Sequence, residues 1–412
     1  MEPTDQQAGD HNSESHQPGG AVSTATVHEA AQRDTVAESS SHLSFFIPDL
    51  TLGGAEQVTV NIVNGLSDRG HDVDLLLSRS EGKLQSKLSD EVSVVTLAPD
   101  RPHALGVAEH LPALASYLRN EEPTALFPHL AHVSVVSLAL KRILDIDTKV
   151  VPTHHKAFRT APDRSAKDRV VSRLVPHLYP SADRLITVSG GVAESLTTKM
   201  PVSREHISVL HNPVEIETVR RRAEIPVDHD WLEDDGKDVI LFVGRIEAQK
   251  DLETWLRAFR LIHDERPDTR AVIAGKGSDR DGLLSLADEL GLADVVSMPG
   301  YVDNPYRYMS QASVFLLSSR YEGLPTVLIE ALACGCPIVA TDCPSGPREI
   351  LDGGKYGELR PVGDAAGLSN AVTDALAQPD NAAVLRERAD EFAPETVIDE
   401  YERFIADYIT PA

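Results

Sequence analysis

From Leu43 onward the chain repeats one unit: a short apolar run, a turn containing Gly, Ser or Pro, and a longer stretch of helical periodicity. The runs "LSFFI", "VDLLL", "VSVVTL", "ALF", "KVV", "RLITVS" and "HISVL" fill the first half, with a helix expected near 55–68. The runs "DVILFVG", "TRAVIAG", "DVVSMPG", "SVFLLSS" and "PIVAT" fill the second. Short strands that are apolar on both faces and alternate with helices build parallel sheets covered by helices on each side. The fold class is therefore α/β. Between the two sets, residues 221–237, "RRAEIPVDHDWLEDDGK", are polar and without strand character, which predicts a linker.

A chain of 412 residues exceeds what one hydrophobic core usually supports. The expected organisation is a disordered acidic tail over 1–41, a first α/β domain over 42–220, the linker over 221–237, a second α/β domain over 238–394, and a C-terminal helix over 395–412 that packs back on the first domain. In that last helix Val397, Ile398, Tyr401, Phe404, Ile405 and Tyr408 share one face. Two such domains facing each other create a cleft beyond the carboxyl ends of their strands.

Charge limits what can enter that cleft unaided. Asp and Glu total 64 against 39 Lys and Arg, a net charge of −25 that opposes general attraction to nucleic acid or anionic lipid. A phosphate-bearing ligand must be held by local cations. Basic residues are mostly Arg, and an acidic, Lys-poor surface suits a salt-rich cytoplasm. No apolar run approaches the roughly 18 residues of a membrane helix, and no basic-then-apolar leader opens the chain, so the expectation is a cytoplasmic protein. Cys334, Cys336 and Cys343 are too few and too close together for a disulfide framework and lack zinc-site spacing; they read as small buried side chains.

The stretch "RYEGLPTVLIEALACG" (320–335) carries the most chemistry. It joins the strand ending at Ser319 to the one beginning at Pro337, with Pro325 suited to the first helical turn and Gly335 to the residue beyond the last. Glu322 then precedes the helix, and Glu330 lies about a turn and a half inside it. Free N–H groups around Gly323, Leu324 and Thr326 favour a diphosphate, with Pro325 contributing no donor. The two carboxylates could accept hydroxyls on either side of it, as a nucleotide sugar requires; a loop Glu and a solvated helix Glu meet the same spacing. At the end of "DVILFVG", Gly244 is followed by Arg245 and Lys250, a bidentate fork and a point charge suited to phosphate oxygens. "AGKGSDR" adds Gly275 and Gly277 in a strand-to-helix turn that matches no P-loop or GxGxxG pattern.

Taken together, "GRIEAQKDLETWLRAF", "AGKG", "MPGYVDN" and "SRYEGLPTVLIEALACGCPIVATDCPSGPREIL" resemble the retaining glycosyltransferases of family 4. "LGGAEQVTVNIVNGLSDRGHDVDLLL", "LYPSADRLITVSGGVAESL" and "VLHNPV" extend the resemblance over residues 43–408. It implies a GT-B fold, two facing Rossmann-like domains, and a Glu-x7-Glu signature met by Glu322 and Glu330. It further implies that Arg245 and Lys250 bind the donor diphosphate with Gly244 and the 323–326 turn, that Glu322 contacts the donor sugar, and that Glu330 holds the ribose diol. Gly53 and Gly54, otherwise an ordinary turn, correspond to the family's Gly-Gly approach to the transferred sugar. The family's active-site histidine falls in "KVVPTHHKAF", where His155 matches better and His154 stays open. The resemblance also implies that the leaving diphosphate helps deprotonate the incoming hydroxyl, without a covalent carboxylate intermediate. A nucleotide sugar is then the co-substrate, with no metal or other cofactor expected, since no DxD-type metal site is evident and the two cations make a metal unnecessary. "TDCPSGPREIL" is similar to the branch using UDP-linked hexoses or hexosamines.

The acceptor side is read from Lys156, Arg159, Arg164, Lys167, Arg169 and Arg173, a basic run opposed only by Asp163 and Asp168, together with His129 and His154. Such a run suits a polyprenyl-phosphate-linked or glycan acceptor, or peripheral contact with the inner face of the membrane; a solvated helix face reads the same way. No nucleic acid partner is expected. The rival readings are a hydrolysing UDP-GlcNAc 2-epimerase, which shares the architecture without the paired motifs, and a non-catalytic nucleotide-sugar-binding module.

Overall fold

The computed structural model describes residues 40–410 apart from 52, 80–81, 98–109, 158–165, 235 and 379–380. Among the described residues the first domain carries β1 His42–Ile47, β2 Asp72–Leu77, β3 Ser93–Thr96, β4 Ala125–Pro128, β5 Lys149–Val150, β6 Thr153–His154, β7 Leu185–Thr187 and β8 Ile207–Val209, and the second opens with β9 Val239–Val243. The rest are β10 Arg270–Ala274, β11 Val296–Gly300, β12 Val314–Leu317, β13 Ile338–Thr341 and β14 Glu358–Arg360.

All the strand pairs run parallel. The first domain has the order β3-β2-β1-β4-β5, continued by β6-β7-β8 through a bridge from His129 to Thr153. The second has the order β11-β10-β9-β12-β13-β14, the doubly wound arrangement. Two Rossmann-like domains are thus present. Strand alternation sends successive aromatics to opposite cores: Phe45 joins the cluster under the helix Gly54–Asp68, and Phe46 the cluster on the other face.

Two connections position the domains. The helix Pro394–Phe404 returns to the first domain, burying Val397, Ile398, Tyr401 and Phe404 in its core. Gly65 leaves a notch there, since a Cβ on it would stand 2.5 Å from Ile398 Cγ1. The segment expected to be a plain linker is instead packed: Val227 and Leu232 join the second domain's core, as do Ile216 and Val219 just before it. Its apolar residues are too sparse to read as an element, yet Val227 and Leu232 are buried while Ile225 stays exposed, so the polar composition hid the packing. Cys334, Cys336 and Cys343 are buried and free. Among the described residues no helix is long and apolar enough to cross a membrane.

Candidate active site

In each sheet the order reverses beside the first strand, so β1 lies between β2 and β4, and β9 between β10 and β12. Open α/β sheets bind ligands in the crevice at such a reversal. Loops from both reversals line a single cleft of about 870 Å³.

The second domain's wall begins where β9 ends. Gly244 leads into Arg245 and the short turn Ala248–Lys250; Asp251, in the left-handed region at φ 49°, then starts the helix Leu252–Glu265. The loop after β12 is fastened to this turn, for Ser318 Oγ donates to the Lys250 carbonyl (2.7 Å) and Gln249 Nε2 donates to the Tyr321 carbonyl (2.9 Å). That brings Lys250 Nζ to 2.7 Å from Glu322 Oε1, with Gln249 Nε2 3.2 Å from Oε2. Both members of the ion pair are nearly buried, at 12% and 8% side-chain exposure. Arg245 is more open and donates to Glu247 at 2.7 Å.

Pro325 caps the helix Thr326–Cys334, and Gly335 closes it at φ 78°. Gly323, Leu324, Pro325, Thr326 and Glu330 all line the cleft, so the helix's free amino end faces the same space as Arg245 and Lys250. Burial pushes the Glu330 carboxyl up to about 7, and no hydrogen-bond partner for it is found among the described residues.

From the first domain come Gly53, Gly54, Glu56, His132, His154, His155 and Lys156. Gly53 is extended, and the space where its Cβ would lie is taken by the Glu56 carboxylate, 2.1 Å away. Burial foremost, with Asp49 nearby, holds Glu56 above the ordinary carboxyl range against its own backbone amide, Lys156 and Arg245. Desolvation and Arg245 push Lys156 down, Glu322 and Glu247 pull it up, and Lys250 adds to the lowering, so Lys156 belongs electrostatically to the Arg245 and Lys250 cluster. Burial, then His154 and Lys156, pushes His155 down to about 3, leaving a neutral imidazole at pH 7.

The walls touch directly. Ser189 Oγ donates to the Gly323 carbonyl (2.9 Å), and Glu349 Oε2 accepts from the Gly190 amide (2.8 Å) while Oε1 meets His211 Nε2 (2.8 Å). Ser345 Oγ donates to the Glu322 carbonyl (2.6 Å), which fixes the loop carrying that carboxylate.

Several sequence assignments need correction. His129 does not face an acceptor: it is fully buried behind His155, whose Nε2 lies 3.1 Å from His129 Nδ1. Gly275 and Gly277 do not line the cleft. Cβ atoms there would meet the Gly244 carbonyl at 1.8 Å and the Ile246 carbonyl at 1.9 Å, so these glycines let β10's turn seat the Arg245 loop. Lys156 joins the donor-side cations, whereas Arg169 and Arg173 are exposed on the helix Ala166–Leu178 outside the lining. Arg159 and Arg164 lie outside the described residues, as does the side chain of Lys167. His154 and His155 both line the cleft. Glu56, Gln249, Asn212 and Tyr301 were not singled out, although "GGAEQ", "EAQK", "VLHNPV" and "MPGYVDN" contain them. Among the described residues no group of three or more His, Cys, Asp or Glu is placed to hold a metal ion.

Residues 52–218 match Glycosyltransferase Family 4 and residues 227–392 match Glycosyl transferases group 1, so the boundary between the two falls where the chain crosses between sheets. The N-acetylgalactosamine-N,N'-diacetylbacillosaminyl-diphospho-undecaprenol 4-alpha-N-acetylgalactosaminyltransferase of Campylobacter jejuni is 30% identical over 329 residues, 77% of this chain and 85% of that protein. The lipopolysaccharide 1,6-galactosyltransferase of Salmonella typhimurium is 32% identical over 200 residues, 46% of this chain and 52% of that protein. Among solved structures, Anabaena HepE in complex with UDP and glucose superposes with a TM-score of 0.70 at 18% identity, covering 89% of this chain and 99% of that one, a likeness of fold. With both family domains in order and a relative matched over most of its length, this chain belongs to the group 1/family 4 glycosyltransferases.

Proposed function

We propose that this protein is a retaining glycosyltransferase that moves a hexosyl or N-acetylhexosaminyl group from a UDP-linked donor to a glycan or polyprenyl-phosphate-linked acceptor in cell-surface glycan assembly. One observation carries the reading: Arg245, Lys250 and the amino end of the helix Thr326–Cys334 converge on one cleft, with carboxylates at Glu322 and Glu330. Cations and free amides suit a diphosphate, and they stabilise the charge that grows on it as the glycosidic bond breaks. Glu330, desolvated and unpaired, suits a ribose diol; Glu322, oriented by Lys250 and Gln249, suits donor-sugar hydroxyls. Neutral His155 supplies a further hydrogen bond near the sugar.

Transfer then proceeds on one face of the sugar. The leaving diphosphate oxygen accepts the proton of the incoming hydroxyl, and no enzyme carboxylate attacks the anomeric carbon. No metal is required, since Arg245, Lys250 and Lys156 together oppose the diphosphate charge. The Campylobacter relative's diphospho-undecaprenol acceptor and the UDP held by HepE support the choice of acceptor and nucleotide. The exposed Arg169 and Arg173 beside exposed Val170 (58%) and Leu174 (40%) suit contact with an anionic lipid surface at the cytoplasmic face.

The test is incubation of the purified protein with UDP-, GDP- and ADP-sugars, with and without polyprenyl-linked acceptors, following nucleotide release and the anomeric configuration of the product by NMR. UDP release that depends on acceptor, with the α-linkage of the donor kept, is expected. Epimerised sugar formed without acceptor, or binding without turnover, supports the rivals instead.

A further inference from the structure

Behind the cleft lies a polar chain that the donor contacts do not use. Thr59, on the helix Gly54–Asp68, has its Oγ1 2.8 Å from the Ala55 carbonyl and 2.8 Å from His129 Nδ1. The same His129 Nδ1 lies 3.1 Å from His155 Nε2, and the two rings sit 5.0 Å apart at a 48° tilt. His129 Nε2 is buried and has no partner among the described residues, with the edge of Phe45 packed against the ring at 5.8 Å.

Counting protons decides the orientation of this chain. The Thr59 hydroxyl has one proton, and the Ala55 carbonyl accepts it. His129 Nδ1 must then bring its own proton to both Thr59 and His155. The opposite assignment would bury an N–H at Nε2 without an acceptor and set the Nδ1 lone pair 2.8 Å from the Thr59 oxygen, whose only proton is already given to Ala55. Orphaned buried N–H groups are rarer and costlier than orphaned acceptors. Burial, together with His155, also holds His129 well below the usual imidazole range, so a doubly protonated ring does not resolve the count.

We propose that Thr59 and His129 are positioning residues that hold His155 as the neutral tautomer protonated on Nδ1, so that the cleft is offered an N–H donor and not a base. This rests on the reading of His155 as a donor-sugar contact. A fixed donor there favours an oxygen substituent on the sugar or the developing negative charge, and it denies His155 the role of accepting the acceptor's proton. That proton is left to the leaving diphosphate.

The experiment uses the full chain with histidine labelled by 15N in the ring, read by two-bond proton–nitrogen correlation between pH 6 and 8. The His155 signals are assigned with His155→Gln. Expected in the unmodified protein is a protonated Nδ1 and an unprotonated Nε2 throughout. A protonated Nε2, or an imidazolium, overturns the proposal. His129→Asn keeps an amide N–H at the position of Nδ1, whereas His129→Leu removes it. Transfer should therefore be kept within about threefold in His129→Asn, with kcat down on the order of tenfold or more in His129→Leu and KM for the nucleotide sugar little changed. Equal loss in both variants, or a loss confined to KM, overturns it. The tautomer is measured without any substrate, so failure of the transfer reading and failure of this one are separable.

Discussion

Gly323 packs directly against the His155 backbone on the opposite wall, and this contact sets a sharp mutational test. A Cβ on residue 323 would stand 1.9 Å from the His155 carbonyl oxygen, 2.9 Å from its carbon and 3.3 Å from Lys156 Cα. All three are backbone atoms, so no side chain can swing aside. Cβ contacts under 3.0 Å are essentially never found, and Gly323→Ala must therefore part the helix end from the 155–156 strand end by at least about 1.1 Å. That separation moves His155 and Lys156 away from Glu322 and Lys250 and breaks the Ser189 bond to the Gly323 carbonyl. Overpacking of this kind costs about 1–3 kcal/mol of stability, and a misplacement near 1 Å at a reacting centre costs about a hundredfold in rate. Apart from Lys156, the groups that hold UDP in this scheme all belong to the second domain, so its affinity, measured by calorimetry, should fall far less than kcat, which drops about a hundredfold. Small-angle scattering should show a slightly more open particle. Near-normal turnover in a folded Gly323→Ala protein would falsify the claim that closure at this contact assembles the site.

Other substitutions probe the charges. Glu330 ionises near 7 in the folded protein against an ordinary value of 4.5, so the folded state holds the extra proton and stability should fall as pH rises from about 4.5 to 7, by ~3 kcal/mol at most. Glu330→Gln should flatten that slope in thermal melts, and in the native protein UDP binding should strengthen through the same pH range as the carboxylate becomes able to accept two ribose hydroxyls. Glu322→Ala leaves the Lys250 ammonium buried without its partner and should cost about 1–3 kcal/mol as well as transfer, whereas Glu322→Gln keeps one acceptor for Lys250, so it should lower the melting temperature less and still lose turnover. Replacing Arg169 and Arg173 with Glu should lower sedimentation with anionic vesicles while leaving nucleotide release on a soluble acceptor unchanged; undiminished sedimentation would remove the membrane contact.

Much of this protein could be read along the chain. The parallel α/β class follows from runs such as "DVILFVG" and "SVFLLSS", because a strand covered on both faces must be apolar at every position. The helix Thr326–Cys334 was legible from its ends, since Pro325 and Gly335 meet steric demands set within a few residues of themselves. Arg245, Lys250, Glu322 and Glu330 stood out because strand ends are where doubly wound sheets place ligands. Edge strand β14 and the buried residues of the 221–237 segment escaped notice, being short or sparsely apolar.

What local pattern could not supply was the partner of each side chain. Thr59 meets His129 across 70 residues of sequence, and Ser189 meets Gly323 across 134. Whether Gly275 faces a ligand or the Gly244 carbonyl depends on how two neighbouring turns stack, and nothing in "AGKG" distinguishes the two. Periodicity and turn chemistry are properties of a dozen consecutive residues, so a linear reading recovers them. Hydrogen-bond partners, desolvation and the charges they shift arise where loops from separate strands converge, and that convergence exists only once the sheets have formed and the two walls have closed on each other.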